Sequence, residues 1–108
     1  MAALPSLRQL RYLLALAEHL NFTRAAEASF VSQSTLSTGL KELESTLGVQ
    51  LVERDKQTVA LTAVGKEVVA RARQVLAAAE DLSDFASDAS RPMQGQLRLG
   101  VIPTIAPF

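Results

Sequence analysis

The sequence contains no cysteine and only one histidine, His19. Without cysteine the chain can form neither a disulfide framework nor a cysteine-ligated zinc site, and one histidine cannot supply a metal cluster. A Gly-rich phosphate loop is absent as well. Glu42 and Glu44 resemble a pair of catalytic carboxylates, but residues two apart on a helix point in different directions. These absences argue against an enzyme, and we expect no catalytic residue, no metal and no cofactor.

The sequence also lacks long hydrophobic runs and an excess of charge of either sign. No apolar stretch is long enough to span a bilayer, and the N-terminus has no pattern typical of a signal peptide. We therefore expect a cytoplasmic protein without membrane contacts. Eleven basic and eleven acidic residues give a formal net charge of zero, so any affinity for DNA depends on where the charges lie. Aromatic residues are few, which predicts a core of leucine, alanine and valine.

Residues 32–48 are predicted to form one helix with two different faces. Ser32 is a good N-cap because its hydroxyl can accept a hydrogen bond from an early backbone N–H. Gly48 suits the left-handed residue that ends a helix. Apolar residues recur at steps of four, three and four, the spacing of a buried stripe; they are Leu36, Leu40, Leu43 and Leu47.

The opposite face of this helix begins with short or flexible hydrogen-bonding residues, none of them charged. They are Gln33, Ser34, Thr35, Ser37 and Thr38. Lys41 follows one turn later. Such a face suits base edges and phosphates in a major groove, although an isolated helix of this kind is equally consistent with a solvated surface.

The neighbouring segments favour the first interpretation. Ser6 caps a predicted helix over residues 7–20, and a short helix is predicted over 23–29, followed by a tight connection into the helix with two faces. This order is typical of a helix-turn-helix. After Gly48, the β-prone runs 49–52 and 58–61 flank a charged tip and predict a two-stranded wing. Arg54 at the tip would reach the DNA backbone, while the acidic neighbours of Arg54 leave a solvated hairpin tip as the alternative.

A long helix capped by Thr62 is predicted to run to about residue 90. Its apolar residues alternate at steps of four and three, which is the heptad pattern of a helix that packs along a partner helix. Because the chain has no second long helix, we expect a homodimer. The predicted contact residues are Val68, Ala72, Val75, Ala79, Leu82 and Ala86.

The fold class is therefore mainly α, a winged helix-turn-helix followed by a long dimerising linker helix. We assign residues 1–61 to the DNA-binding domain, 62–90 to the linker helix, and 91–108 to a hinge and the first strand of a truncated C-terminal effector domain. That strand is predicted over 96–102, and we expect the chain to be an N-terminal fragment.

These segments together resemble the N-terminal region of LysR-type transcriptional regulators. The similarity covers about residues 7–102, and within the family it is greatest to the peroxide-sensing OxyR branch. The matching strings are Leu10-Arg11-Tyr12-Leu13, Asn21 to Glu27, Val31 to Ser37, Leu43-Glu44, Leu47-Gly48-Val49, Leu51 to Arg54, and Leu61-Thr62 with Gly65. The similarity to the OxyR branch rests on Leu13 to His19, Val31-Ser32-Gln33, Leu51 to Arg54 and Gly100 to Phe108. The resemblance implies a linker helix that pairs two subunits, a C-terminal domain that senses a signal, and a full-length tetramer, with RNA polymerase as a candidate partner. A twofold dimer predicts an interrupted palindromic operator.

Sequence-specific binding of double-stranded DNA without catalysis is the function we expect. Gln33 is the first candidate for a base contact, because glutamine can pair with adenine through two hydrogen bonds, and Ser34 and Thr38 would assist it. Hydroxyl groups and cations suit phosphate contacts, which set register without reading sequence. The candidates are Thr23, Arg24, Ser32, Ser37, Lys41 and Arg54.

Two alternatives remain open on the sequence alone. A LysR-type regulator that responds to a small-molecule metabolite would have the same DNA-binding region. A dimeric scaffold module would bind protein through the winged domain and would show no salt-dependent DNA binding.

Overall fold

The described part of the chain, residues 3–53 and 57–91 of a computed structural model, is mainly helical. Its helices are α1 (Leu7–His19), α2 (Phe22–Ala28), α3 (Gln33–Leu47) and α4 (Ala63–Ala89). The predicted helices are confirmed, with ends shifted by one residue. The described residues divide into two compact units, with the boundary between Leu76 and Ala77. The predicted domain limits at residues 61 and 90 remain predictions.

Short polar residues fix where the helices begin. Ser6 and Gln9 form a reciprocal capping box, since each side chain accepts a hydrogen bond from the backbone N–H of the other at 3.1 Å. The Asn21 side chain accepts from the Arg24 backbone N–H at 2.8 Å. Asn21 therefore starts α2 at once, which is why Phe22 lies inside the helix. The Thr62 hydroxyl caps α4 by accepting from the Gly65 backbone N–H at 2.8 Å.

The core of the first unit lies where α1, α2 and α3 pack together. Its most deeply buried side chains are at most 1% exposed; they are Leu13 and Leu16 of α1, Leu36, Leu40 and Leu43 of α3, and Leu51 and Val52 after α3. Leu47 is half-buried against this core. Ala25 and Ala26 are buried on α2, where their small side chains allow close helix approach. Phe22 at the start of α2 and Val31 in the connection to α3 pack against this core.

The base of the wing is present as an antiparallel pairing. Val52 and Leu61 form the bridge, the Glu53 N–H donates to the Ala60 carbonyl at 2.8 Å, and the Thr62 N–H donates to the Leu51 carbonyl at 2.9 Å. The predicted tip residue Arg54 and the predicted strand 96–102 lie outside the described residues.

Glu44 fastens the wing to α3. One of its carboxylate oxygens accepts the backbone N–H groups of Leu51 and Val52, at 2.7 and 3.2 Å. On the other side of the same segment, Gly65 lies so close that a Cβ atom there would overlap the Leu51 carbonyl oxygen. The start of α4, the wing and α3 are thereby held in one arrangement.

The first part of the apolar stripe of α4 packs against the core of the first unit. Ala72 has only 2% of its surface exposed and belongs, with Val69 and Leu76, to the core of the first unit. The first unit already covers Ala72, and the dimer contact predicted for this residue remains a prediction. Val68 is half-buried against the same core. No helix in the described ranges is long and apolar enough to cross a membrane.

Candidate nucleic-acid interface

The two predicted faces of α3 are both confirmed. Its leucines at positions 36, 40 and 43 are at most 1% exposed, and they hold the helix against the rest of the domain. An α-helix turns by about 100° per residue, so Ser34, Thr38 and Lys41 lie opposite this stripe. All three are exposed, as is Gln33, while Ser37 is half-buried.

Thr23 and Gln33 meet across the helix-turn-helix. The Thr23 hydroxyl donates to Oε1 of Gln33 at 3.2 Å, which places the start of α2 beside the start of α3. Oε1 keeps a second lone pair, and within the described ranges the Nε2 hydrogens have no hydrogen-bond acceptor. These are the groups that a glutamine uses to pair with adenine. The contact thus orients the first candidate for base recognition, and it engages the Thr23 hydrogen that the predicted phosphate contact would use.

Ser32 holds the first turn of α3 through a small hydroxyl network. Its oxygen accepts from the Thr35 backbone N–H at 3.1 Å, and its own hydroxyl donates to Thr35 Oγ1 at 2.9 Å. Ser34 Oγ lies 3.1 Å from the same oxygen. The network orders the first turn, and it engages the Ser32 hydrogen that a phosphate contact would use.

The positively charged side chains near the polar face of α3 lie on either side of its uncharged centre. Arg24 and Lys41 are exposed, and within residues 3–53 and 57–91 neither forms an ion pair. The polar centre of α3 between them carries no charge. Arg54 cannot be placed relative to this face, because it lies outside the described ranges.

An open groove of about 420 Å³ runs along one side of this face, between α3 and the first turns of α1. Sequence analysis missed it, because it depends on how α1 docks on α3. The ring of Tyr12 lies where a Cβ atom of residue 39 would stand, so the glycine at that position permits the close approach. The groove is lined by Ser6, Arg8, Gln9, Tyr12, Ser34, Thr35, Thr38, Gly39 and Glu42.

The predicted dimer residues beyond Ala72 are more accessible. Val75 is 46% exposed and Leu82 is 69% exposed; Ala79 is half-buried and Ala86 exposed. Phe85, which sequence analysis did not place in the dimer contact, is as exposed as Leu82. In the described residues, α4 therefore keeps apolar side chains uncovered.

A family profile matches this chain over residues 7–66; it is described as bacterial regulatory helix-turn-helix protein, lysR family. The HTH-type transcriptional regulator EstR of Acinetobacter baylyi is 62% identical over 108 residues, covering 100% of this chain and 36% of that protein. The probable hydrogen peroxide-inducible genes activator of Mycobacterium xenopi is 49% identical over 104 residues, covering 96% of this chain and 55% of that protein.

The fold is likewise similar to that of a solved protein–DNA complex. The DNA-binding domain of CbnR in its complex with DNA superposes with a TM-score of 0.73 at 37% identity, covering 80% of this chain and 99% of that one. By contrast, the chain spans only 36% and 55% of the two curated relatives. The similarity therefore concerns the DNA-binding region.

Proposed function

This chain belongs to the LysR family of bacterial regulatory helix-turn-helix proteins, and we therefore propose that it regulates transcription by placing α3 in the major groove of a specific operator. The observation that carries this proposal is the face of α3: uncharged and exposed at its centre, flanked by cations, and backed by buried leucines. A rigid polar helix of this kind fits a major groove about 12 Å wide.

Base recognition rests first on Gln33, with Ser34 and Thr38 beside it on the exposed face. The Thr23 contact restricts the Gln33 amide, and a restrained side chain loses less conformational freedom when it binds. The remaining candidates bind phosphate and set the register of the helix on the duplex; they are Arg24, Ser37, Lys41 and Arg54. Thr23 and Ser32 join them only when their hydroxyl hydrogens turn from Gln33 and Thr35 towards the phosphate.

A homodimer through α4 is the second part of the proposal. A second copy of the helix would cover an apolar stripe whose residues are exposed except for the half-buried Ala79; they are Val75, Ala79, Leu82, Phe85 and Ala86. A twofold dimer requires half-sites on one face of the duplex, separated by whole turns of about 34–36 Å. The operator is thus an interrupted palindrome. The full-length protein would assemble further into a tetramer, act in the cytoplasm without catalysis, and influence RNA polymerase.

The signal to which the regulator responds is inferred from the names of its relatives. A relative named as a hydrogen peroxide-inducible genes activator supports a peroxide-responsive regulator. The more similar EstR carries no such name, so a regulator that responds to a small-molecule metabolite is the second candidate. Testing whether the chain binds the same promoter DNA as the peroxide-inducible activators separates them: shared high-affinity sites favour the first candidate and unrelated sites the second.

Selection of bound duplexes from a random pool tests DNA recognition itself. Enrichment of an interrupted inverted repeat is expected. On that sequence, Gln33→Ala should cost about 1–3 kcal/mol and relax one base position, whereas Gln74→Ala, which removes an exposed glutamine from α4, should change neither. Recovery of no motif, with weak binding that disappears as salt rises, would contradict sequence-specific recognition and favour the scaffold alternative.

A further inference from the structure

The groove beside α1 and the start of α2 flank the polar face of α3 on opposite sides. Gln33 lies on the flank next to α2, as the Thr23–Gln33 contact shows, and Ser37 follows one turn later on the same side of α3. Thr35 and Glu42 form the flank next to α1, since both line the groove. Ser34 and Thr38 lie between these two flanks. A ligand that covers the full width of this polar face therefore lies beside α2 on one side and beside α1 on the other.

A DNA major groove presents two sugar-phosphate strands, one along each wall. Its width of about 12 Å matches the 10–12 Å diameter of a helix with its side chains. A helix that reads the bases therefore has one phosphate strand beside each flank. On the α2 flank, Arg24 is the cation suited to phosphate. The α1 flank needs its own phosphate-binding group.

Arg8 is the cation on that second flank. It lines the groove together with Ser34 and Thr38, it is exposed, and it forms no ion pair within the described ranges. Ser6 and Gln9 beside it already satisfy each other through the capping box, which fixes the first turn that carries Arg8. An arginine presents a planar set of donors that can bind phosphate through two hydrogen bonds.

We propose that Arg8 binds a backbone phosphate of the strand that faces α1, so that α3 is clamped between contacts from α1 and from α2. This inference rests on the proposed function. This contact contributes to the affinity for DNA and to the register of α3 on the duplex, and it confers no sequence preference. Glu42 repels phosphate from its own part of the groove, which leaves the cation as the attractive charge there.

Arg8→Gln and Arg11→Gln form a matched pair of variants for the test. Arg11 is exposed on the same helix but does not line the groove, so both variants remove one positive charge from α1. Binding of the 108-residue chain to its selected duplex, and to a scrambled one, is measured across a salt series. Each lost phosphate contact lowers the slope of log K against log salt by about 0.9 per bound chain.

For Arg8→Gln we expect this loss of slope, and at 0.1 M salt an affinity about eightfold lower per chain on both duplexes. Arg11→Gln should retain the wild-type slope, and Arg8→Lys, which keeps the charge, should restore most of it. Equal slopes for Arg8→Gln and Arg11→Gln, with wild-type binding intact, would overturn the Arg8 contact alone. Absence of salt-dependent binding by the wild-type chain would overturn the proposed function as well.

Discussion

Helices α3 and α4 carry apolar residues at the same steps of four and three, yet they use them in opposite ways. In α3, Leu36, Leu40 and Leu43 are at most 1% exposed because α1, α2 and the wing cover them. In α4, only the first part of the stripe is covered by its own unit, and Leu82 and Phe85 are 69% exposed. One helix leaves its polar face exposed, and the other leaves part of its apolar face exposed.

This difference shows what apolar spacing means. A stripe at helical spacing indicates that a face is to be covered, and it does not indicate by what. The covering group follows from which elements the fold brings against the helix. Mutations that treat the two stripes alike should therefore have different consequences.

Leu40→Ala is expected to have the largest effect on folding. It removes three carbons from a site with 1% exposure, and the transfer and cavity costs together should lower the free energy of unfolding by about 3 kcal/mol. Urea denaturation followed by circular dichroism measures this. The matched variant Leu82→Ala should change the unfolding of the first unit little; equal losses for both would mean that the two stripes are not used differently.

Leu82→Ala should instead weaken dimerisation. Each subunit loses part of a leucine that a partner would bury, and for two subunits we expect about 2 kcal/mol, close to a thirtyfold higher dissociation constant. Sedimentation equilibrium measures this directly. Ser83→Ala, which alters a neighbouring exposed residue, serves as the control. Unchanged self-association in the leucine variant would remove Leu82 from the interface.

Glu44→Gln tests how much the Glu44 carboxylate contributes to holding the wing against α3. The carboxylate accepts two backbone N–H groups, and the neutral amide keeps an acceptor without the charge, so we expect a loss of about 1.5 kcal/mol in unfolding free energy. Glu42→Gln, an exposed site on the same helix, should leave stability nearly unchanged. If both variants unfold like the wild type, Glu44 does not fasten the wing.

Phe30→Gly should stabilise the entry to α3. Phe30 has a φ of 59° at the position after α2, where the Phe30 and Val31 N–H groups bond the carbonyls of Glu27 and Ala26; glycine normally occupies this left-handed position. Since the ring is 93% exposed, its removal costs little, and relief of strain should give about 1 kcal/mol. Ser29→Gly, at a right-handed residue, should destabilise in the same thermal melts. A lower melting temperature for Phe30→Gly would show that strain at this residue is not limiting.

The elements that sequence analysis predicted depend on local chemistry. Ser32 and Gly48 define the ends of α3 through interactions within a few residues, and the leucine stripe defines its buried face. Features that depend on distant segments were not predictable in this way. The part of the α4 stripe that the first unit covers, Ala72 included, depends on how α4 packs against the core. The groove that Arg8 lines arises only when α1 docks on α3. The role of Glu44 needs the segment after Gly48 to fold back.

The stoichiometry of the complex with a selected duplex tests the central claim, that α3 reads DNA while α4 pairs the chains. Native mass spectrometry of the wild-type chain and of Leu82→Ala, on duplexes with two half-sites and with one, would measure it. We predict two wild-type chains on the two-site duplex, bound cooperatively, and loss of that cooperativity in the variant with unchanged affinity for the single half-site. One wild-type chain bound at full affinity to the two-site duplex would contradict the account.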